Sequence, residues 1–267
     1  MILDRMSLDG KIAVVTGGSR GLGRGAALAL AEAGADVALV ARSAADLEPV
    51  ADEIRALGRQ AFPRTADVAL PDDARAMMAA VAGHFGRVDI LANFAGANRL
   101  SPAVDYPLDE WRRILDTNLT GAFVCCQEAA RLMIPQGGGK IINVASMTTL
   151  LGLPRMPAYA SSKAAIAELT RALAVEWAPH RINVNAIGPG YFRTAMTQRR
   201  YDDREWHERI RSRIPLGHWG EASELQGAVV FLASPAASYM TGVMLPVDGG
   251  LMAGNRLMAN ELTHEDM

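Results

Sequence analysis

Short runs of apolar residues alternate with longer segments rich in alanine and leucine along most of the chain. The short runs predict β-strands, and the segments between them predict helices. The strands are predicted at Ile12–Thr16, Val37–Val40, Ala61–Arg64, Ile90–Asn93, Ile141–Ala145, Ile182–Ile187 and Val243–Val247. Strands that alternate with helices need right-handed crossovers, so the pattern predicts an α/β fold: a doubly wound parallel sheet of about seven strands with helices on both faces.

Six helices are predicted between these strands, and two of them are unusually long. They are placed at Leu22–Ala33, Ala45–Ala56, Asp72–Phe85, Leu108–Met133, Ala158–Trp177 and Ala222–Ala233. The two long helices are apolar on more sides than one face of a sheet covers. We therefore expect a partner subunit to cover the remainder, which predicts a homo-oligomer.

Composition and charge narrow the class of protein. Half of the 267 residues are hydrophobic, which is typical of a globular chain, and we expect one domain over residues 1–254. The formal net charge of -2 provides no basic field for a nucleic acid or an anionic membrane. The polar tail over residues 255–267 is expected to be disordered or docked on another subunit.

The cysteines and the hydropathy indicate the compartment. Cys125 and Cys126 are adjacent in an apolar stretch, which argues against a disulfide framework or a metal cluster. No segment reaches the ~18 uninterrupted apolar residues of a membrane span. We expect a cytoplasmic protein that binds no metal ion, membrane or nucleic acid.

A glycine-rich turn joins the first predicted strand to the first predicted helix. Glycines let the backbone turn tightly and approach a pyrophosphate, which free N–H groups and the helix dipole stabilise. The spacing differs from the usual Gly-x-Gly-x-x-Gly, and a structural turn without a ligand is the alternative. The predicted dinucleotide contacts here are Gly17, Ser19, Arg20, Gly21, Leu22 and Gly23.

The end of the second strand indicates which nicotinamide cofactor is bound. An Asp or Glu at this position would bind the ribose 2′-hydroxyl of NAD(H). Here Ala41 stands at that position and is followed by Arg42 and Ser43, while Arg20 in the glycine turn can approach the same region. Guanidinium groups suit a 2′-phosphate, so NADP(H) is favoured over NAD(H). The alternative is that Arg42 is an ordinary surface arginine.

A tyrosine and a lysine form the candidate acid–base pair. Tyr159 and Lys163 are four residues apart in a predicted helix, so both lie on one face. A phenol with a pKa of ~10 needs a neighbouring cation to lower that pKa before it can act near neutral pH. The chain has only three lysines, which makes an accidental Tyr-x-x-x-Lys match unusual.

Two polar residues are candidates to assist this pair. Ser146 ends the fifth strand at the carboxyl edge of the sheet, where its hydroxyl could bind the substrate oxygen, although a serine there is often only a turn residue. Asn118 lies inside a predicted helix, where asparagine has poor propensity and can perturb the backbone. We expect Asn118 to hold a water that connects to Lys163.

Together these residues resemble the short-chain dehydrogenase/reductase family from about Leu8 to Gly250, which implies a Rossmann-type fold. The features occur in the family's order and spacing: Thr16 to Gly23, Asp67-Val68, Asn93 to Gly96, Asn118, Ser146, Tyr159 with Lys163, and Pro189-Gly190 with Thr194. The resemblance implies an oxidoreductase acting on a small-molecule carbonyl or alcohol. It also implies a dimer or tetramer.

The resemblance assigns roles to individual residues. Asn118, Ser146, Tyr159 and Lys163 would form the catalytic tetrad, Asp67 would contact adenine and Thr194 would hold the nicotinamide carboxamide. Further implied cofactor contacts are Val68, Asn93, Ala95, Gly96, Tyr159, Lys163, Pro189, Gly190 and Phe192. Phe94 departs from the family pattern, which usually has a second Asn whose side chain braces the sheet.

Within the family, the segments from Trp111 to Gly121 and from Pro189 to Thr194 look like those of the gluconate 5-dehydrogenase group. A sugar acid or polyol needs several hydrogen-bonding groups. The loop before Tyr159 is apolar with Arg155 as its only charge, so a hydrophobic carbonyl compound fits equally well. The charged segment from Tyr191 to His218 is expected to close over the substrate.

Two other functions remain open at this point. Reduction of a 3-oxoacyl thioester would need a basic entrance, which Arg193, Arg199 and Arg200 could supply. A non-catalytic sensor or scaffold could keep the dinucleotide fold, because a fold does not determine a function. The complete tetrad argues against the sensor, since a sensor needs no tyrosine of lowered pKa.

Overall fold

The structure is a computed structural model that describes residues 1–254, so the prediction for the tail at 255–267 lies outside the described residues. Seven parallel strands form one sheet in the order β3-β2-β1-β4-β5-β6-β7. Their bounds are β1 Ile12–Thr16, β2 Asp36–Ala41, β3 Ala61–Thr65, β4 Ile90–Asn93, β5 Gly139–Val144, β6 Ile182–Pro189 and β7 Met244–Val247. The predicted fold class is confirmed.

The helices cover both faces of this sheet. Their bounds are α1 Gly21–Glu32, α2 Ala44–Ala56, α3 Pro71–Phe85, α4 Leu108–Leu115, α5 Gly121–Gln136, α6 Pro157–Trp177, α7 Gln198–Asp202, α8 Arg204–Arg211 and α9 Ala222–Ala233. One core packs α1, α2 and α9 against one face, and a second core packs α3, α5 and α6 against the other. The near-continuous burial of β1 follows from this coverage.

The predicted helix Leu108–Met133 is wrong as one regular helix. A π-helical turn at Asp116–Thr120 separates α4 from α5 and contains the buried Asn118. The amide of Asn118 exchanges hydrogen bonds with the main chain of Ala97, accepting at 2.7 Å and donating at 3.0 Å. These bonds hold Asn118 toward the sheet, and such turns inside helices are frequent at functional sites.

The two cysteines lie in the apolar interior. Cys125 and Cys126 are free and buried, and burial raises the pKa of both thiols, that of Cys125 to about 12. Val175 on α6 and Phe123 on α5 are exposed apolar residues, and the homo-oligomer stays a prediction. Within residues 1–254 no helix has the length and hydropathy needed to cross a bilayer.

Candidate active site

A cavity of about 680 Å³ opens at the carboxyl ends of the strands. Its lining comes from the ends of β1 to β6 and the segments that follow them, together with Arg113 of α4, Thr117 of the π-helical turn and two residues of α6. The sheet order changes direction between β1 and β4, and ligands of open α/β sheets bind at such a switch point. The fold therefore places a large concave surface where a dinucleotide would lie.

The glycine turn forms a backbone cradle in this cavity. Gly17 has φ +69, and a Cβ on it would lie 2.8 Å from the main-chain nitrogen of Ala95. A Cβ on Gly23 would lie only 2.2 Å from the carbonyl oxygen of Gly17. Side chains are thus excluded by backbone contacts between the turn, α1 and the end of β4. The bare backbone fits a ligand that approaches closely.

The amino end of α1 suits an anionic group. Arg20 is the N-cap residue, and its side chain makes no capping hydrogen bond. The first N–H groups of a helix need partners and carry the positive end of the dipole. Gly21, Leu22 and Gly23 in this first turn all line the cavity. The residues present therefore fit a pyrophosphate at this end of the cavity.

Two arginines, one after β1 and one after β2, contribute to the lining of the cavity. Arg20, Arg42 and Ser43 all contribute to its lining, as the sequence predicts. The Arg42 guanidinium is largely exposed and lies 4.0 Å from a carboxylate oxygen of Asp67. Because the pair is long and open to solvent, it restrains Arg42 only weakly. Asp46 also lines the cavity, and the sequence analysis did not assign this carboxylate.

The candidate reacting groups meet in the same cavity. Ser146, Tyr159 and Lys163 all line it, with Ser146 at the end of β5 and the other two in the first turns of α6. The Lys163 ammonium donates to the carbonyl oxygen of Val144 at 2.6 Å and lies 5.7 Å from the centre of the Tyr159 ring. A serine hydroxyl, a phenol and an ammonium thus share one site.

Two predicted residues lie behind the cavity wall rather than in its lining. The Asn118 amide also donates to the Ser162 hydroxyl at 3.0 Å, and the water expected between Asn118 and Lys163 stays a prediction. Asn93 is buried and donates to the side chain of Asn143 at 2.9 Å. All the other predicted cofactor contacts and catalytic residues line the cavity.

The expectation that the Tyr159 pKa is lowered is wrong for the protein alone. Burial raises the pKa of the Tyr159 phenol, and a hydrogen bond with Ser146 only partly opposes this rise. A buried phenolate loses more solvation than a buried phenol, which explains the direction. Tyr159 is therefore protonated at neutral pH, the form that donates a proton to a carbonyl oxygen.

Burial lowers the pKa of the neighbouring Lys163 instead of raising it. The pKa of Lys163 is lowered to about 8, because its ammonium is desolvated. The unfolded chain, with a lysine pKa near 10.5, binds more protons between pH 8 and 10.5. The free energy of unfolding should therefore rise with pH across this window. Below pH 8 the buried Lys163 carries its charge in the folded chain, and the desolvation of that charge lowers the free energy of unfolding by its full amount.

We predict that Lys163→Met stabilises the protein without ligand at neutral pH. Removal of the buried charge should raise the free energy of unfolding by about 3 kcal/mol at pH 7, a gain that shrinks by pH 10. Urea unfolding of both proteins at the two pH values measures this difference. A gain of equal size at both pH values would contradict the lowered pKa of Lys163, while activity should be lost in either case.

The structure adds lining residues that sequence reasoning missed. Arg113 and Thr117 lie one helical turn apart, and the Thr117 hydroxyl donates to the Arg113 carbonyl at 2.9 Å. Their spacing of four residues places both side chains on one face of the helix, and this could have been recognised in the sequence. Asn98, Met196 and Thr197 come from loops and carried no local signal.

Two polar groups flanking the reacting residues have unusual environments. The side-chain oxygens of Asn98 and Thr148 are buried and have no hydrogen-bond partner among the described residues. Asn98 lines the cavity, and Thr148 follows Ser146 and donates its main-chain N–H to the Ser146 hydroxyl at 3.2 Å. A buried polar atom without a partner is costly, and of these two residues only Asn98 lines the cavity, where it adds a polar group to the three reacting groups.

This geometry defines an oxidoreductase site in a dinucleotide-binding fold, and comparisons with known proteins agree. A family model described as enoyl-(acyl carrier protein) reductase matches residues 17–252. The 2-dehydro-3-deoxy-D-gluconate 5-dehydrogenase of Escherichia coli K12 is 43% identical over 254 residues, covering 95% of this chain and 100% of the relative. The chain belongs to the short-chain dehydrogenase/reductase family.

Two further relatives belong to the group that the sequence resembles. The gluconate 5-dehydrogenase of Gluconobacter oxydans is 39% identical, covering 93% of this chain and 97% of its own. A gluconate 5-dehydrogenase from Burkholderia cenocepacia, crystallised with NADP and tartrate, is 38% identical with a TM-score of 0.92. That comparison covers 95% of this chain and 100% of the other. The resemblance to the gluconate 5-dehydrogenase group is confirmed.

Proposed function

We propose that the protein is an NADP(H)-dependent oxidoreductase that interconverts a ketone and a secondary alcohol on a hydroxylated acid. The observation that carries this proposal is the meeting of Ser146, Tyr159 and Lys163 in a cavity that also contains a bare glycine cradle. The test is oxidation of D-gluconate or reduction of the corresponding keto acid, followed by absorbance of the reduced cofactor.

The residues divide the chemistry among them. A bound nicotinamide supplies or accepts the hydride. Tyr159 gives its phenolic proton to the carbonyl oxygen in reduction and takes it back in oxidation. Ser146 donates a hydrogen bond to the same oxygen and holds the substrate in place, as an oxyanion-type donor does. The Lys163 ammonium stabilises the phenolate that forms on Tyr159.

Residues from successive segments of the chain would hold successive parts of the cofactor. The first turn of α1 would bind the pyrophosphate, and Asp67 and Val68 would contact the adenine. Arg20, Arg42 and Ser43 would take a 2′-phosphate, which carries two negative charges that guanidinium groups bind in forked geometry. The NADP in the Burkholderia cenocepacia relative supports this choice of cofactor.

We predict that Arg42→Ala removes the preference for NADPH over NADH. Loss of a charge-assisted contact to the 2′-phosphate should weaken NADPH binding by ~10- to 100-fold, while NADH binding changes little. Fluorescence titration of both cofactors against wild type and variant measures this. Arg55→Ala is a matched control, because Arg55 is a surface arginine held by Glu48 and Asp52 on α2. A wild-type preference for NADH would overturn the cofactor assignment alone.

Two observations support a hydroxylated acid as the substrate. Asn98 lines the cavity, and its side-chain oxygen has no hydrogen-bond partner among the described residues, which suits a substrate with several hydroxyl groups. The relatives named above act, by name, on gluconate or a keto-deoxy derivative of it.

Reduction of a 3-oxoacyl thioester is less well supported. The three arginines that could attract an acidic carrier do not line the cavity within the described residues. The Arg193 guanidinium lies 4.8 Å from the ring centre of Tyr201, and that of Arg200 lies 5.3 Å from the ring centre of Trp206. These contacts hold the two charges against aromatic rings of α7 and α8.

A further inference from the structure

The Thr197 hydroxyl does not cap the helix that Thr197 precedes. Thr197 is the N-cap residue of α7, and an N-cap threonine normally accepts a hydrogen bond from one of the first N–H groups of its helix. The Thr197 side chain makes no such bond, whereas the side chains of Ser43 and Asp203 cap α2 and α8 in this way. The Thr197 hydroxyl therefore bonds to other groups.

These groups belong to the segment between β6 and α7. The Thr197 hydroxyl oxygen lies 2.5 Å from the carbonyl oxygen of Phe192 and 3.2 Å from that of Thr194. It also lies 3.0 Å from the main-chain nitrogen of Thr194 and 3.2 Å from the Thr194 hydroxyl oxygen. Both threonines line the cavity that contains the reacting groups. Thr197 thus contacts Thr194 through its side chain and its main chain.

The number of protons fixes the direction of each bond. A hydroxyl has one proton to donate and two lone pairs that accept. Because a carbonyl oxygen cannot donate, the single Thr197 proton goes to its nearest carbonyl oxygen, that of Phe192. The two Thr197 lone pairs then accept from the N–H and the O–H of Thr194. The Thr194 hydroxyl is therefore the donor of the bond between the threonines, and only its lone pairs are left for a ligand.

Thr194 lies between two parts of the cavity that suit different ligand groups. A Cβ on Gly21 would lie 3.7 Å from the Thr194 side chain, so Thr194 adjoins the first turn of α1, where the pyrophosphate would bind. Thr194 also follows β6, which pairs with β5, the strand that precedes Ser146. A pyrophosphate oxygen only accepts and would need a proton from Thr194. The amide NH2 of a nicotinamide donates, and it matches the lone pairs of Thr194.

We propose that Thr197 is a positioning residue that orients the Thr194 hydroxyl as an acceptor for the amide NH2 of the bound nicotinamide. The inference rests on the proposed function and adds the direction of the hydrogen bonds at the cofactor. Thr197 acts through Thr194 and takes no part in hydride or proton transfer.

The test compares the binding of NADP+ with that of its 3-acetylpyridine analogue, in which a methyl ketone replaces the amide. The ketone keeps an acceptor and loses the NH2 protons. In titrations of tryptophan fluorescence, the wild type should bind NADP+ ~5- to 30-fold more tightly than the analogue. Thr197→Val removes the hydroxyl and frees the Thr194 proton for the ketone, so this ratio should fall below about twofold. Thr197→Ser keeps the hydroxyl and should keep the ratio.

Two further variants separate positioning from a general effect on the fold. Thr241→Val is the matched control, because the Thr241 hydroxyl also accepts a main-chain N–H, that of Val184, and Thr241 lies outside the cavity. This variant should keep the wild-type ratio. Thr194→Val should lower the ratio as Thr197→Val does, and the double variant should lower it no further, because the two residues act as one unit.

The possible failures are distinguishable. If the wild type binds NADP+ and the analogue equally, or if Thr197→Val weakens both by the same factor, Thr197 does not orient Thr194, yet the proposed function stands. If the wild type binds neither NADP+ nor NADPH, the proposed cofactor fails and the role of Thr197 fails with it.

Discussion

Tyr159→Phe should lower kcat by ~10²- to 10⁴-fold while NADPH binds with unchanged affinity. The variant keeps the ring and removes the only phenolic proton in the cavity lining of the described residues. Because burial raises the Tyr159 pKa, the phenol holds its proton at neutral pH and gives it up only as charge develops on the substrate oxygen. Single-turnover reduction with NADPH separates this loss from effects on binding.

A second tyrosine provides the control for this variant. Tyr239 is fully exposed and lies outside the cavity, so Tyr239→Phe should leave both kcat and cofactor affinity as they are in the wild type. If Tyr159→Phe binds NADPH normally and retains activity on a substrate of the wild type, the acid–base assignment is wrong. Normal NADPH binding with no activity in the wild type would instead favour the sensor alternative.

Gly23→Ala should have the largest effect on the cofactor site. The added Cβ would lie 2.2 Å from the carbonyl oxygen of Gly17 and 2.8 Å from its carbonyl carbon. Both atoms belong to the backbone, so the turn and α1 must separate. We expect a loss of about 3 kcal/mol or more in the free energy of unfolding, together with the loss of measurable NADPH binding. Urea unfolding and fluorescence titration check the two parts.

A helical glycine elsewhere makes the comparison specific. Gly83 lies in α3, and a Cβ there would meet no atom within 4 Å. Gly83→Ala should raise the free energy of unfolding by about 0.5–1 kcal/mol, because alanine loses less conformational entropy on folding. Equal behaviour of Gly23→Ala and Gly83→Ala would mean that the turn is not a close-packed cradle, which would falsify the backbone argument for the cofactor site.

The fold could be predicted from the sequence to within a few residues at most element ends. Strand β1 and helix α9 have the predicted bounds, and the parallel sheet follows from the alternation of apolar runs with helices. These features depend on local patterns that a single sequence contains. The π-helical turn at Asp116–Thr120 was not predictable in this way, because it depends on bonds between Asn118 and Ala97, 21 residues away.

The candidate site, like the fold, was predictable only where neighbours in the chain set the geometry. The sequence by itself determined the glycine turn and the pairing of Tyr159 with Lys163, since a turn and a helix face are set by neighbours in the chain. Only the tertiary structure decided that burial raises the Tyr159 pKa and lowers that of Lys163, because desolvation depends on everything packed around a group. It also decided that the turn at Gly17 meets the main chain of Ala95, 78 residues away, a contact that no local pattern records.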